Sequence, residues 1–240
     1  MNNQRNKPRA GCSDIWNAFM VEGASFVLGS DMPVCHQTSS EIPKRLISYV
    51  EAKHIYKIKI QQEPDFKYDA YVHFYIDDQK FDGKQSSIWL YPEKALNILC
   101  HFSGVISPDF STYQDFPDAL KRYNIYRMRT FDYWLSSKGI PIIFNVRWNT
   151  IETWDYCFDG IPLHSIVCIG TVASGINRLE NRPDFVAGLK RMVEILQPSV
   201  ILCYGSARYT FFDEVVASEI PVISFPSETN LAFKGVKSNE

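Results

Sequence analysis

The sequence predicts an α/β protein made of parallel β/α repeats, a TIM-barrel-like or partial barrel, with an open doubly wound parallel sheet as the alternative. Three observations lead there. Short runs rich in Val, Ile and Phe alternate with amphipathic helical stretches from residue 69 to residue 227, and strands joined by single helices form right-handed crossovers in a parallel sheet. Several of these runs turn polar toward their C-terminal ends on one face only, as barrel strands do when helices cover the outside and a site lines the mouth. No G-x-G-x-x-G or G-x-x-x-x-G-K-[ST] loop follows any strand, so nothing competes as a glycine-rich phosphate loop.

The elements follow in order. "DAYVHFYIDD" (69–78) reads as a strand, and "YPEKALNILCHFSG" (91–104) as a helix with Pro92 in its first turn and Gly104 past its end. "GVISPDF" (104–110) is the next strand. A long helix then runs from Asp115 or Pro117 to Lys138 and is stopped by Gly139 and Pro141. "IPIIFNVRW" (140–148) is a strand, "TIETWDYCFDG" (150–160) a shorter helix, and "HSIVCIGTV" (164–172) a strand. "RPDFVAGLKRMVEILQP" (182–198) places Phe185, Leu189, Met192 and Leu196 on one helical stripe. "SVILCYGS" (199–206) is a strand, "YTFFDEVVASEI" (209–220) a helix and "PVISFPS" (221–227) a last strand. Before residue 69, "PKRLISYVEAK" fits a strand or a helix, and "SFVLGSDMP" a short strand. Five or six strands read clearly, and the ambiguous runs bring the total to seven or eight.

Strand faces weigh barrel against open sheet. Central strands of a doubly wound sheet are apolar on both faces. Here Val72, Phe74 and Ile76 oppose His73, Tyr75 and Asp77. Ile106, Pro108 and Phe110 oppose Val105, Ser107 and Asp109, and Ile142, Phe144 and Val146 oppose Ile143, Asn145 and Arg147. Ile106, Pro108 and Phe110 are expected toward helices, with Ser107 and Asp109 together on the other face.

Composition bounds the rest. A chain of 240 residues that is 45% hydrophobic and 22% charged buries a substantial core, which excludes disorder for most of its length. One domain is expected over residues 14–230, with flexible tails at 1–13 and 231–240. The formal net charge of −2 gives no field favouring nucleic acid or anionic lipid. "MNNQRNKPRAGCSD" is polar and basic with no apolar run behind it, which reads as a tail rather than a secretory signal. No apolar stretch approaches the roughly 18–20 residues of a membrane span. The six cysteines form no C-x-x-C pair, and Cys168 and Cys203 sit in apolar strands, so reduced, cytoplasmic usage is expected. Cys12, Cys35 and His36 lack a fourth ligand at standard spacing, so no metal site is assigned. No motif names a cofactor.

Polar residues at strand ends form the candidate site. Asp77 and Asp78 end one strand, Ser107 and Asp109 the next, and Asn145 and Arg147 the third. Adjacent parallel strands lie about 4.8 Å apart, so side chains at equal height share one pocket. Asp109, Arg147 and Asp77 are the candidates for chemistry; Asn145, Ser107 and Gly205 are the candidates for ligand contact. Arg147 can fork onto a carboxylate or phosphate, or pair with Asp109. The turns "GSARYT" and "GTVASG" can offer backbone N–H groups to an anion. The structural alternatives are an Asx turn at Asp109, loop acids around Gly83, and an internal ion pair for Arg147. His73 sits deeper on its strand and reads as a core histidine. Arg127 falls on the apolar face of the long helix and needs a carboxylate, Asp159 or Asp155, whereas Arg129 and Arg122 read as solvent-facing.

Certain strings go further. "GVISPDFSTYQDFPDAL", "NIYRMRTFDYWLSSKGIPIIFNVRW", "YCFDGIP" and "ILCYGS" resemble an uncharacterised bacterial and phage family, the domain of unknown function 4417 (DUF4417), over about residues 14–227. The resemblance rests on Ser107–Ser111, the N-x-Y-R-x-R run Asn124–Arg129, Trp148, Phe158–Pro162 and Cys203–Gly205. It implies a phage or mobile-element connection and an intracellular setting, the cytoplasm of a bacterial host cell, and it supplies no reaction. Two function classes stand. One is an enzyme or binding protein for a small anionic or nucleotide-like ligand at the strand ends. The other is a non-catalytic accessory protein that binds a host macromolecule through aromatics such as Trp89, Tyr91 and Trp154.

Overall fold

Seven parallel strands lie side by side in chain order in the computed structural model, which describes residues 11–228. They are β1 (Leu46–Ser48), β2 (Tyr68–His73), β3 (Phe102–Ile106), β4 (Ile142–Asn145), β5 (Ile166–Gly170), β6 (Val200–Tyr204) and β7 (Val222–Phe225). Six helices accompany them: α1 (Tyr49–Lys59), α2 (Gln79–Asp82), α3 (Pro92–Leu99), α4 (Asp118–Ser137), α5 (Arg182–Leu196) and α6 (Phe211–Ala217). The strand order never reverses, whereas a doubly wound sheet reverses at its switch point and carries helices on both faces.

Two separate cores give the curvature. On the outer face Val72, Phe74, Val105, Phe144, Val167, Ile169 and Ile201 pack against helix residues such as Met128, Leu135, Leu189 and Met192. The inner cluster is Tyr71, Ile106, Ile143, Ile166, Cys168, Leu202 and Tyr204, every one from a strand. A sheet whose buried inner apolar cluster is drawn from its strands alone is a curled half-barrel. Among the described residues β1 and β7 do not pair, so the barrel is not closed.

Local chemistry explains the elements. The ambiguous "LISYVEAK" is both strand and helix: Ser48 ends β1, and its Oγ accepts from Glu51 N–H at 3.3 Å, capping α1. Pro92 and Pro183 sit in the first turns of α3 and α5, where a missing N–H costs nothing. "SFVLGSDMP" forms only an isolated antiparallel bridge, Phe26 to Pro33. The helix expected over 150–160 is a 3-10 turn, Ile151–Asp155, ahead of the tight Asp159-Gly160 bend. The tail readings fall largely on residues 1–10 and 229–240, outside the described residues.

Three side-chain expectations need correction. Alternation on β3 is offset: Val105 faces the helices and Ile106 the inner core. Ser107 keeps that alternation and shares the helix side with Val105; the strand ends at Ile106 and Pro108 breaks the pleat, so Asp109 enters the mouth instead of following Ser107. Arg127 pairs with Asp82 at 2.7 Å rather than with Asp155 or Asp159, and its guanidinium lies 4.0 Å from the Phe110 ring centroid. Arg129, expected in solvent, is fully buried, with Nη1 donating to the equally buried Asp132 at 2.9 Å.

Candidate functional site

The C-terminal ends of β2, β3 and β4 bring four polar side chains together. Phe144 and Val146 point to the helices, so Asn145 and Arg147 point inward by the period of two. Arg147 Nη1 donates to Asp109 Oδ2 at 2.6 Å, and Asn145 Nδ2 donates to Asp109 Oδ1 at 2.8 Å. Tyr75 Oη donates to Asn145 Oδ1 at 2.9 Å. Arg147 Nε donates to Thr112 Oγ1 at 3.2 Å. The loop that carries Asp109 is itself tied down, since Asn124 and Asn149 side chains donate to the carbonyls of Ser111 and Thr112.

This pair divides a cleft into two lobes. Asp109, Tyr113, Arg147, Gly170 and Ala173 line both. The first lobe, about 170 Å³, is completed by neutral polar groups (Gln114, Asn149, Ser174, Asn181) with Trp148 and Phe185; Asp184 is its one further charged side chain. The second, about 500 Å³, is bounded by Tyr75, Tyr204, Asp77, Asp78, Lys80 and Glu228. Tyr75 and Tyr204 stack at 4.7 Å on its inner side.

Electrostatics fixes the protonation states. Burial works against the Arg147 charge, yet the Asp109 carboxylate outweighs it and holds the guanidinium above its usual pKa. Asp78 is shifted upward by burial, against hydrogen bonds from Ser111 N–H and Oγ. Burial lifts the Tyr75 phenol far above its ordinary range, so it acts as a neutral donor. The same effect presses His73 down to about 3; it is a neutral core histidine, with Nδ1 accepting from Tyr75 N–H. Among the described residues no histidine or cysteine lines either lobe. The Cys168 thiol is raised by burial to about 12, and the Cys203 thiol to about 11. Among the described residues no three His, Cys, Asp or Glu side chains are placed to hold a metal ion.

The other sequence candidates sit apart from the pair. Asp77 is exposed at the rim and accepts from Gln79 N–H; its neighbour Asp78 turns inward instead. Ser107 lines neither lobe: its Oγ donates to Asp132 behind the sheet. Gly205 also lies outside both; its N–H bonds the Phe225 carbonyl, and its φ of 118° with Thr171 Oγ1 close by makes it a tight-turn glycine. Trp89 is buried and Trp154 half-buried; Tyr91 is exposed.

The family model for a domain of unknown function, DUF4417, matches residues 24–226. The chain belongs to this family. Among similar proteins, the Gene 1 protein of Mycobacterium phage L5 is 33% identical over 138 residues, 58% of this chain and 58% of its own length. The Gene 1 protein of Mycobacterium phage D29 is 33% identical over the same length, 49% of its own chain. The DUF4417 chain thus spans about half the length of the curated relatives it matches. No solved structure matches. No helix of the described DUF4417 residues is long and apolar enough to cross a membrane.

Proposed function

We propose that this DUF4417 member is a phage-associated protein of the bacterial host interior that binds a small ligand in the two-lobed cleft. The ligand carries an acidic group, and a nucleotide-like compound is the kind that fits. One observation carries the reading. Arg147 spends Nη1 on Asp109 and Nε on Thr112, while Nη2 has no protein partner among the described residues. A guanidinium oriented by two of its nitrogens, with the third facing a cleft, is pre-organised for a carboxylate or phosphate.

Charge orients the ligand. In the smaller lobe Asp109 is neutralised by Arg147, and the remaining polar side chains apart from Asp184 are amides and hydroxyls. In the larger lobe Asp77, Asp78 and Glu228 outnumber Lys80 and repel an anion. The acidic group therefore enters the smaller lobe and the uncharged remainder the larger. Tyr113, 54% exposed and shared by both lobes, offers a ring face for a planar group. In the larger lobe Ser111 Oγ donates to Asp78 Oδ1 at 2.9 Å, but among the described residues no histidine or cysteine lines the cleft, so binding is proposed and catalysis is not.

A thermal-shift screen of phosphate, nucleoside monophosphates and dicarboxylates tests this. A ligand at a hundred times its Kd stabilises by about 2.7 kcal/mol, a rise of roughly 5–10 °C for a chain this size. The rise should vanish in a folded Arg147→Lys variant. A screen with no shift, or shifts unchanged in Arg147→Lys, contradicts the reading.

A second reading keeps a host macromolecule as partner. It draws on Trp16, 65% exposed, beside Asn17, whose side chain bonds the Trp89 carbonyl, with Leu90 and Tyr91 exposed next to it.

A further inference from the structure

Past the Ile106–Ile143 register pair, the backbones of β3 and β4 separate. The last ladder bond runs from Ser107 N–H to the Ile143 carbonyl at 3.0 Å. A parallel ladder is evenly spaced, so its next two bonds would join Asn145 N–H to the Ser107 carbonyl and Asp109 N–H to the Asn145 carbonyl. Neither forms. Side chains occupy those positions instead. Asn145 N–H donates to Ser107 Oγ at 2.9 Å, and Arg129 Nη2 donates to the Asn145 carbonyl at 3.0 Å. Asp132 Oδ2 holds both substitutes, accepting from Ser107 Oγ at 2.9 Å and from Arg129 Nη1 at 2.9 Å.

We propose that Ser107, Arg129 and Asp132 are positioning residues for the cleft: they replace the missing strand partner, hold β3 and β4 apart, and set where Asp109 and Arg147 meet. The inference rests on reading the cleft as a ligand site. Asn145 is the link. Its backbone is gripped from behind the sheet by this triad, while its side chain, in front, bonds Asp109 and Tyr75. Stability alone is a poor account of the triad. A fully buried ion pair is often no better than packed apolar side chains, and Asp132 Oδ1 is buried with no hydrogen-bond partner among the described residues. An apolar replacement could fill the space, but it could not supply both a donor to the Asn145 carbonyl and an acceptor for the Ser107 hydroxyl. Without those bonds the strands would zip together and carry Asp109 toward the ladder.

The test is Ser107→Ala, which removes the hydroxyl and leaves both charges. Its readout is the rate at which an arginine-selective dicarbonyl modifies Arg147, mapped by mass spectrometry, with Arg191 as internal reference. Leu189→Ala, on the buried face of α5, serves as a control of comparable thermal destabilisation. Arg147 should react several-fold faster than in wild type in folded Ser107→Ala and at the wild-type rate in Leu189→Ala. If Ser107→Ala does not fold, Asp132→Asn, nearly equal in volume, takes its place with the same expectation. An unchanged Arg147 rate in a folded variant, or an equal rise in Leu189→Ala, overturns the proposal. Inorganic phosphate binding is read separately. A changed Arg147 rate in a protein that binds no acid supports the positioning role and removes the ligand reading. Phosphate binding with an unchanged rate removes the positioning role alone.

Discussion

Arg147 and Asp109 meet through a single nitrogen. Nη1 donates to Oδ2 at 2.6 Å, with 18% of the arginine side chain and 8% of the aspartate side chain exposed. The carboxylate is shared with Asn145 and the guanidinium with Thr112, so each charge is held by the pair and by one neutral neighbour. A charge pair withdrawn this far from water is costly to break from one side only.

Asp109→Leu should therefore destabilise by about 3–5 kcal/mol, because it leaves the guanidinium uncompensated. The double variant Asp109→Leu/Arg147→Met should be more stable than Asp109→Leu alone. Urea unfolding of the wild type, Asp109→Leu, Arg147→Met and the double variant measures this. A double variant that loses the sum of the two single losses would show that the pair is not coupled.

Asp132 adds a pH dependence. Burial is the main cause that raises its pKa to about 6, with Arg129 and Ser107 opposing. A carboxyl that holds its proton more tightly when folded contributes stability that is full below about pH 4, its unfolded value. That contribution fades as pH rises through 6. Between pH 7 and pH 4 the wild type should gain relative to Asp132→Asn, by at most roughly 3 kcal/mol. Chemical denaturation of both proteins at several pH values checks the sign. A wild type that loses ground to Asp132→Asn on acidification would mean the ion pair, not burial, dominates.

Gly188 in α5 lies directly under the Trp148 indole, and an added Cβ would overlap Trp148 Cδ1 and Nε1. Helix propensity favours alanine by about 1 kcal/mol, but overpacking a core contact costs about 1–3 kcal/mol. Gly188→Ala should be destabilised on balance and should displace Trp148 into the smaller lobe that it lines. A lower Tm with a shifted tryptophan emission is the expected result. A more stable protein with unchanged emission would show that the indole yields freely.

Much of this was legible in the sequence, for identifiable reasons. The β/α rhythm and the inward Asn145–Arg147 pair follow from the strand period of two, which β4 obeys. Asp109 was found because polar residues at neighbouring strand ends share a height. Period two holds on β3 through Ser107, which faces α4 with Val105, but the residue types alone do not give its phase; Asp109 reaches the cleft because the pleat breaks at Pro108. The choice between Asp77 and Asp78 depended on the turn into α2, which strand alternation does not describe. Arg129 and Asp132 stand three apart on one helix among Met128 and Phe131; that spacing signals a pair, as it does for the exposed Arg191 and Glu194, but not its burial. The apolar stripe through Arg127 points elsewhere on the same helix, toward Asp82. Tyr75 shares a strand face with His73 and Asp77, but nothing in that alternation singles it out as the donor to Asn145.

The most direct measurement is a crystal structure of the protein with the strongest acidic ligand from the thermal-shift screen. Its acidic group should lie in the smaller lobe, within about 3.2 Å of Arg147 Nη2, with the Asp109–Arg147 bond intact. A ligand bound away from Arg147, or an acidic group in the larger lobe beside Asp77 and Asp78, would contradict the proposed function.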